Sequence, residues 1–203
     1  MFMVLSRPLV ALSLLIALAL PATAQQALSL GEVSRYLNTL TTAQTPFTQV
    51  NSDGSTSTGT LFLKRPGRAR FEYDAPAAAL VITGGGQVAI FDSKSDIAPQ
   101  QFPLRRTPLN LILARKVDLT RAEMVTGLRR DGSSTVITAQ DPEHPEYGSI
   151  DLIFSSNPTT LRQWMITDEG GGQTNVMLGS MTKGMPLSAF LFDITHEIKQ
   201  RQR

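Results

Sequence analysis

The stretch Leu61-Phe62-Leu63-Lys64-Arg65-Pro66-Gly67-Arg68-Ala69-Arg70-Phe71-Glu72-Tyr73 decides how the rest of the chain is read. Two runs rich in large apolar and aromatic residues flank a basic Arg-Pro-Gly turn, the pattern of a β-hairpin. Side chains two apart on a strand share a face, so Leu61, Leu63 and Arg65 point one way. By the same alternation Phe71 and Tyr73 share one face of the returning strand.

The strand pattern recurs on both sides of this hairpin. Phe47 to Asn51 leads through Ser52-Asp53-Gly54 into Thr58 to Arg65. Phe71 to Tyr73, Leu80 to Thr83 and Val88 to Asp92 follow, separated by Pro76 and Gly84-Gly85-Gly86. In the second half Val125 to Leu128, Thr135 to Ala139, Ile150 to Phe154, Leu161 to Thr167, Thr174 to Leu178 and Ala189 to Ile194 read as strands. Asp131-Gly132, Asn157-Pro158 and Gly170-Gly171-Gly172 punctuate them. Short strands about ten residues apart predict an antiparallel sheet, sandwich or barrel. Ile150, Leu152 and Phe154 alternate with Ser149, Asp151 and Ile153, so one apolar face dominates.

Two helices interrupt the strands. Ser29 with Glu32 forms a capping box ahead of Leu30, Val33, Leu37 and Leu40 at helical spacing. Thr39, Thr41, Thr42 and then Pro46 are read as ending that helix. Thr107-Pro108 is a second helix start, followed by Leu109, Leu111, Ile112 and Leu113 and closed by Arg115-Lys116. The second helix is apolar nearly all round. It is either packed inside the core or covers a space whose contents change.

Ahead of the first helix, Arg7, the apolar run Leu9 to Leu20, Pro21 and Ala22-Thr23-Ala24 form the three regions of a secretory signal peptide. The run is about a dozen residues, whereas a membrane-crossing helix needs roughly 20. Cleavage after Ala24 predicts a mature, soluble domain over 25–203, with 1–24 as the leader. No linker or internal repeat divides it.

Composition and motifs exclude several functions. With no cysteine among its 203 residues, the chain has no disulfide, thiolate metal site or cysteine nucleophile, and no residue for lipid attachment at a cleaved N-terminus. The net charge of +2 is spread along the chain, and Arg105-Arg106, Arg115-Lys116 and Arg129-Arg130 read as solvated turns, so nucleic acid is not an expected partner. His144 and His196 are read as solvated loop residues. No nucleophile elbow, zinc-protease helix or phosphate loop occurs. Gly84-Gly85-Gly86 is read as a hairpin turn, and Asp168-Glu169 lacks the spacing of a calcium loop. No enzyme, metal or cofactor is expected.

Phe47-Thr48-Gln49, Gly59-Thr60-Leu61-Phe62-Leu63-Lys64-Arg65-Pro66, Phe71-Glu72-Tyr73, the Thr107-Pro108 helix and Phe190-Leu191-Phe192 resemble, in the same order, the outer-membrane lipoprotein carrier family of the LolA type. The resemblance implies a mainly β fold with some helix: an open, curved antiparallel half-barrel whose helical lid encloses an apolar cavity for acyl chains. It further implies a periplasmic carrier, loaded by an inner-membrane ATP-driven lipoprotein-releasing complex and unloaded at an outer-membrane receptor or at the outer membrane directly, working as a monomer. Arg65 would close the lid through hydrogen bonds to its backbone. Phe47, Leu61, Leu63, Phe71, Tyr73, Leu80, Ile82, Leu109, Ile112, Leu113, Ile150, Leu152, Phe154 and Trp164 are the expected cavity residues. The family often carries tryptophan in the first strands, where this chain has Phe62 and Phe71. The tail after Phe192, ending Lys199-Gln200-Arg201-Gln202-Arg203, is read as short and polar, without a long C-terminal hook. A lipid- or lipoprotein-sensing regulatory module of the same fold is the alternative reading.

Overall fold

The structure is a computed structural model that describes residues 27–92, 98–107 and 109–202. The expected leader, and Pro108 of the second helix start, lie outside the described residues. Helix α1 (Leu30–Thr39) forms as its capping box dictates. Ser29 Oγ accepts from the Glu32 amide at 3.2 Å, and the Glu32 carboxylate accepts from the Ser29 amide at 2.8 Å. Strands β1 (Thr42–Val50), β2 (Thr56–Lys64), β3 (Arg68–Tyr73), β4 (Leu80–Gly84), β5 (Gln87–Phe91) and β6 (Gln100–Pro103) follow. Helix α2 (Leu109–Leu113) then precedes β7 (Val125–Asp131), β8 (Ser134–Gln140), β9 (Ser149–Ser156), β10 (Thr159–Thr167), β11 (Gln173–Leu178) and β12 (Thr182–Lys183). Helix α3 (Ile194–Arg201) ends the chain.

All strands join one antiparallel sheet in the order β6-β5-β4-β3-β2-β1-β11-β10-β9-β8-β7, with β12 beside β1. Residues paired directly across strands share a face. One face therefore carries Leu61 with Phe71, Leu63 with Ala69, Phe47 with Leu178, and Trp164 with Val176 and Leu152. The sheet is strongly curled. Val81 on β4 and Ile166 on β10 line a common groove, although the four strands between them would hold them about 24 Å apart in a flat sheet at ~4.8 Å per strand. The concave side holds the main apolar core and is covered by α1 and α2.

Three expectations need correction. Pro46 does not end the helix: α1 stops at Thr39 and Pro46 lies inside β1. Its missing N–H falls in the gap between the β11 and β12 pairings, where Pro46 only accepts, from the Gly179 amide at 2.9 Å. Ala189 to Ile194 is not a strand. Ser188 Oγ accepts from the Phe190 amide and starts a single 3₁₀ turn over Ala189–Phe192. Asp193 then caps α3 by accepting from the His196 amide at 2.9 Å, so the polar tail and His196 are helical. Gly84-Gly85-Gly86 does form the β4–β5 hairpin, with positive φ at Gly85 and Gly86.

The C-terminal segment covers the convex face. Ile194 and Ile198 pack on Leu80, Ile82, Ala89 and Phe91, and the Phe192 carbonyl sits where a Cβ on Gly84 would be, at 2.1 Å. Arg70 donates to the Leu191 carbonyl and to Glu197, each at 3.1 Å, while Lys64 donates to the Leu187 carbonyl. Burial pushes the Glu197 carboxyl up, but hydrogen bonds from Arg201 and Arg70 outweigh it and hold the group below its ordinary 4.5.

Two outcomes are expected. A Cβ at Gly59 would meet the Glu72 carbonyl at 2.1 Å and the Phe47 ring at 2.8 Å, so Gly59→Ala should lower the urea-unfolding free energy by about 1–3 kcal/mol. A midpoint equal to wild type would show that β2 and β3 can separate freely there. A carboxyl depressed on folding contributes stability above its unfolded value and loses it as pH falls through the folded one. The gap in urea midpoint between wild type and Glu197→Gln should therefore be full at pH 7 and shrink progressively as the pH falls below about 4.5, toward the lower folded value; a gap independent of pH would remove the carboxylate from the account.

Candidate functional site: an apolar face under an arginine-tied lid

The sharp turn between β2 and β3 presents Arg65 beneath the lid. Its Nε donates to the Ala114 carbonyl at 3.1 Å. Nη1 donates to the Leu37 carbonyl at the end of α1. Nη2 reaches the carbonyls of Ala114 and Arg115 and the Asn38 side chain, the last at 3.2 Å. One planar fork thus ties the C-terminal ends of both lid helices, where terminal carbonyls carry partial negative charge. No carboxylate takes part. Burial lowers the guanidinium's pKa, yet arginine remains charged at neutral pH. Gly67 adds a backbone bond from the same turn to the Leu113 carbonyl at 2.8 Å.

Asn38 and Ser34 extend the tie. The Asn38 amide group accepts from Val117 N–H at 2.9 Å and donates to the Val117 carbonyl at 2.8 Å. Ser34 Oγ accepts from the Leu119 amide at 2.9 Å. On the other side of α1, the Tyr36 hydroxyl accepts from the Leu161 amide at 3.1 Å, at the irregularity in the β9–β10 pairing. Burial pushes the Tyr36 phenol's pKa up.

Under the lid, Leu61, Leu63 and Phe71 face Leu109, Ile112 and Leu113, with Trp164, Leu161 and Leu178 closing the side. The free space left there is about 20 Å³, room for about one water. Rings meet edge to face along this floor: Phe71 on Trp164 at 6.1 Å, Phe47 on Phe71 at 5.8 Å, and Phe47 on Tyr73 at 5.0 Å. The lid is down on an apolar surface and is fastened at its rim by polar bonds.

The family model described as "Outer membrane lipoprotein carrier protein LolA" matches residues 38–195. The chain belongs to the LolA family. The outer-membrane lipoprotein carrier protein of Pseudomonas aeruginosa is 28% identical over 193 residues, 88% of this chain and 91% of that protein. The carrier protein of Coxiella burnetii is 29% identical over 139 residues, 66% of this chain and only 61% of that protein's length. Among solved structures, a LolA superfamily protein from Nitrosomonas europaea aligns over 82% of this chain and 98% of its own, at 11% identity and a TM-score of 0.43. A putative outer membrane lipoprotein-sorting protein domain from Vibrio parahaemolyticus covers 82% of this chain and 95% of its own, at 8% identity and a TM-score of 0.49.

The structure distributes the residues expected from the LolA resemblance over four places. Leu61, Leu63, Phe71, Leu109, Ile112, Leu113 and Trp164 surround the space under the lid. Phe47 and Tyr73 stand behind it in the aromatic row, with the Tyr73 hydroxyl donating to Gln49 at 2.7 Å. Leu152 and Phe154 are buried on the same face, where Phe154 meets Tyr36 rather than the space itself, and Ile150 lines a neighbouring groove. Leu80 and Ile82 are corrected: they point to the convex side and pack under α3. The reason is register, because Leu80 pairs with Glu72 and Ile82 with Arg70, the outward residues of β3. Sequence reading missed Asn38, Ser34 and Tyr36, polar residues in an amphipathic helix with no motif of their own. His144 is a loop residue stacked on Tyr147. Asp168 accepts from the amides of Gly170 and Gly172 to shape its turn.

Trp164, the only tryptophan, is 3% exposed against this space and reports on the lid. Asn38→Ala leaves the Val117 N–H unmet, which costs about 1–3 kcal/mol. It should lower stability by that amount and raise acrylamide quenching of Trp164 in native buffer. Unchanged quenching would show that the lid stays down without Asn38.

Proposed function

We propose that this LolA-family protein is a periplasmic carrier that holds the acyl chains of lipoproteins on the concave face of its sheet, in place of the lid. The observation that carries the reading is the construction of the cover: an apolar floor and an apolar underside, fastened at the rim by one arginine. Such a cover separates without breaking any covalent bond and exposes a continuous apolar surface when it does. The LolA family's description as outer membrane lipoprotein carriers, and the names of the relatives from Pseudomonas aeruginosa and Coxiella burnetii, support it.

Magnitudes say where control lies. An acyl chain of about fifteen methylenes gains roughly 12 kcal/mol by leaving water, at ~0.8 kcal/mol each. A membrane offers the chain the same burial, so the two environments nearly balance. Net lid bonds of about 1 kcal/mol apiece are then enough to tip the exchange. As the resemblance to the LolA type implies, we assign loading to an inner-membrane ATP-driven releasing complex. Release goes to an outer-membrane receptor or to the outer membrane.

A fluorescent fatty acid should bind the purified mature protein and be displaced by a lipoprotein. Arg65→Leu removes lid bonds of about 1–3 kcal/mol and should favour open, loaded protein by roughly 5- to 150-fold. That variant should accept lipoprotein yet pass less of it to acceptor membranes, and Arg65→Lys should rescue only partly because it lacks the fork. Equal transfer and equal retained cargo for Arg65→Leu and wild type would overturn the role of Arg65, and absence of any probe binding would overturn the carrier reading.

A further inference from the structure

A second apolar space lies beside the lid, open while the lid is down. It is a groove of about 270 Å³ between the two arms of the curled sheet. One wall is Val81, Val88 and Ile90 of β4 and β5 with Phe102 of β6; the other is Ile150 of β9 and Ile166 of β10. Leu109 of α2 belongs both to this groove and to the closed space under the lid. Val81, Phe102, Leu109 and Ile166 remain half-exposed. That many apolar groups facing one another without meeting is an unfavourable arrangement unless something occupies the gap.

Among the described residues, the rim is polar on one side only, at Arg106 and Thr107. Arg106 is exposed and, among the described residues, has no hydrogen-bond or ion-pair partner. The Thr107 hydroxyl already donates to the Leu104 carbonyl at 2.8 Å, so it can offer only lone pairs. Among the described residues the rim therefore presents one free cationic donor, Arg106, which suits a molecule with an apolar tail and an acceptor oxygen at its head.

We propose that this groove is a docking site for one acyl chain, taken up while the lid is still closed, with Arg106 binding the oxygen-bearing head. The proposal rests on the carrier reading and adds a first step to it. A chain seated in the groove touches Leu109, and from there it slides under α2 as Arg65 lets go. The chain thus never has to meet an open, wet cavity, and the lid opens only against a ligand already in place.

Laurate, a single-chain anionic amphiphile, is a suitable probe, read by methyl NMR of the mature wild-type protein with labelled isoleucines. Ile90, Ile150 and Ile166 report on the groove and Ile112 on the space under the lid. The groove methyls should shift first, with an apparent affinity several-fold tighter than that read at Ile112. Dodecyltrimethylammonium, of equal chain length and opposite charge, should bind the groove more weakly. Arg106→Gln should weaken laurate about two- to fivefold, the range of an exposed ion pair, and leave the ammonium compound unaffected or improved. Arg105→Gln removes the same charge from a neighbour that does not line the groove, and should change laurate binding less. Groove and lid methyls that titrate together with one affinity would overturn the docking step while leaving the carrier reading intact. Equal losses in Arg105→Gln and Arg106→Gln would overturn the assignment of the head to Arg106. No shift at any isoleucine would overturn both readings.

Discussion

The Arg65 guanidinium is the constraint on which the closed structure depends. A half-buried cation without a carboxylate carries a desolvation cost that hydrogen bonds to its donors must offset. Here the acceptors are backbone carbonyls at or just past the ends of two helices, together with the Asn38 side chain, so the fork is met on several sides at once. The arrangement gathers the lid's charged contacts at one edge, while the underside of α2 that meets the floor is apolar. Apolar contact is non-directional and accepts another apolar partner with little penalty, whereas the fork accepts only its own geometry.

The floor beneath owes its shape to small residues as much as to large ones. Gly59 lets the Phe47 ring lie across β2, and from there the rings of Phe71, Tyr73 and Trp164 meet edge to face. Gly179 yields to Pro46 in the same way at the other side of β1, where a Cβ would touch the proline ring at 2.7 Å. The sheet curls around this row, bringing β4 and β5 opposite β9 and β10. Its outer side is stiffened by α3 rather than left bare, and the two apolar clusters on either face share the same strands.

Much of this was legible from alternation. The period of two placed Leu61 with Leu63 on one face of their strand and Ile150, Leu152 and Phe154 on one face of theirs, and the Ser29 capping box placed α1. Where the reading failed, the deciding information was non-local. Leu80 and Ile82 look like core strand residues, which they are, but only the pairing with β3 tells which core. Phe190-Leu191-Phe192 has the composition of a strand, and the Ser188 and Asp193 caps on either side overrode it. Pro46 is tolerated because of a gap between two other strands, which no local pattern announces. Asn38 is an unremarked helix residue until Val117 arrives from far along the chain.

Lys64 and Arg65 are neighbours in sequence, yet they hold opposite sides of the molecule: Lys64 the C-terminal segment at Leu187, Arg65 the lid at Leu37 and Ala114. The alternation of β2 carries on into the first residue of the turn, so that consecutive residues project to opposite faces. The hairpin is therefore phase-sensitive in a way its composition conceals. The lid needs the fork at that position, and a change in strand length by a single residue would exchange the two directions, sending the planar fork outward and the flexible ammonium inward. The tip of this hairpin is free to drift in chemistry only as far as its parity is preserved, which makes the count of residues from Gly59 to Arg65 as much a part of the lid as the arginine itself.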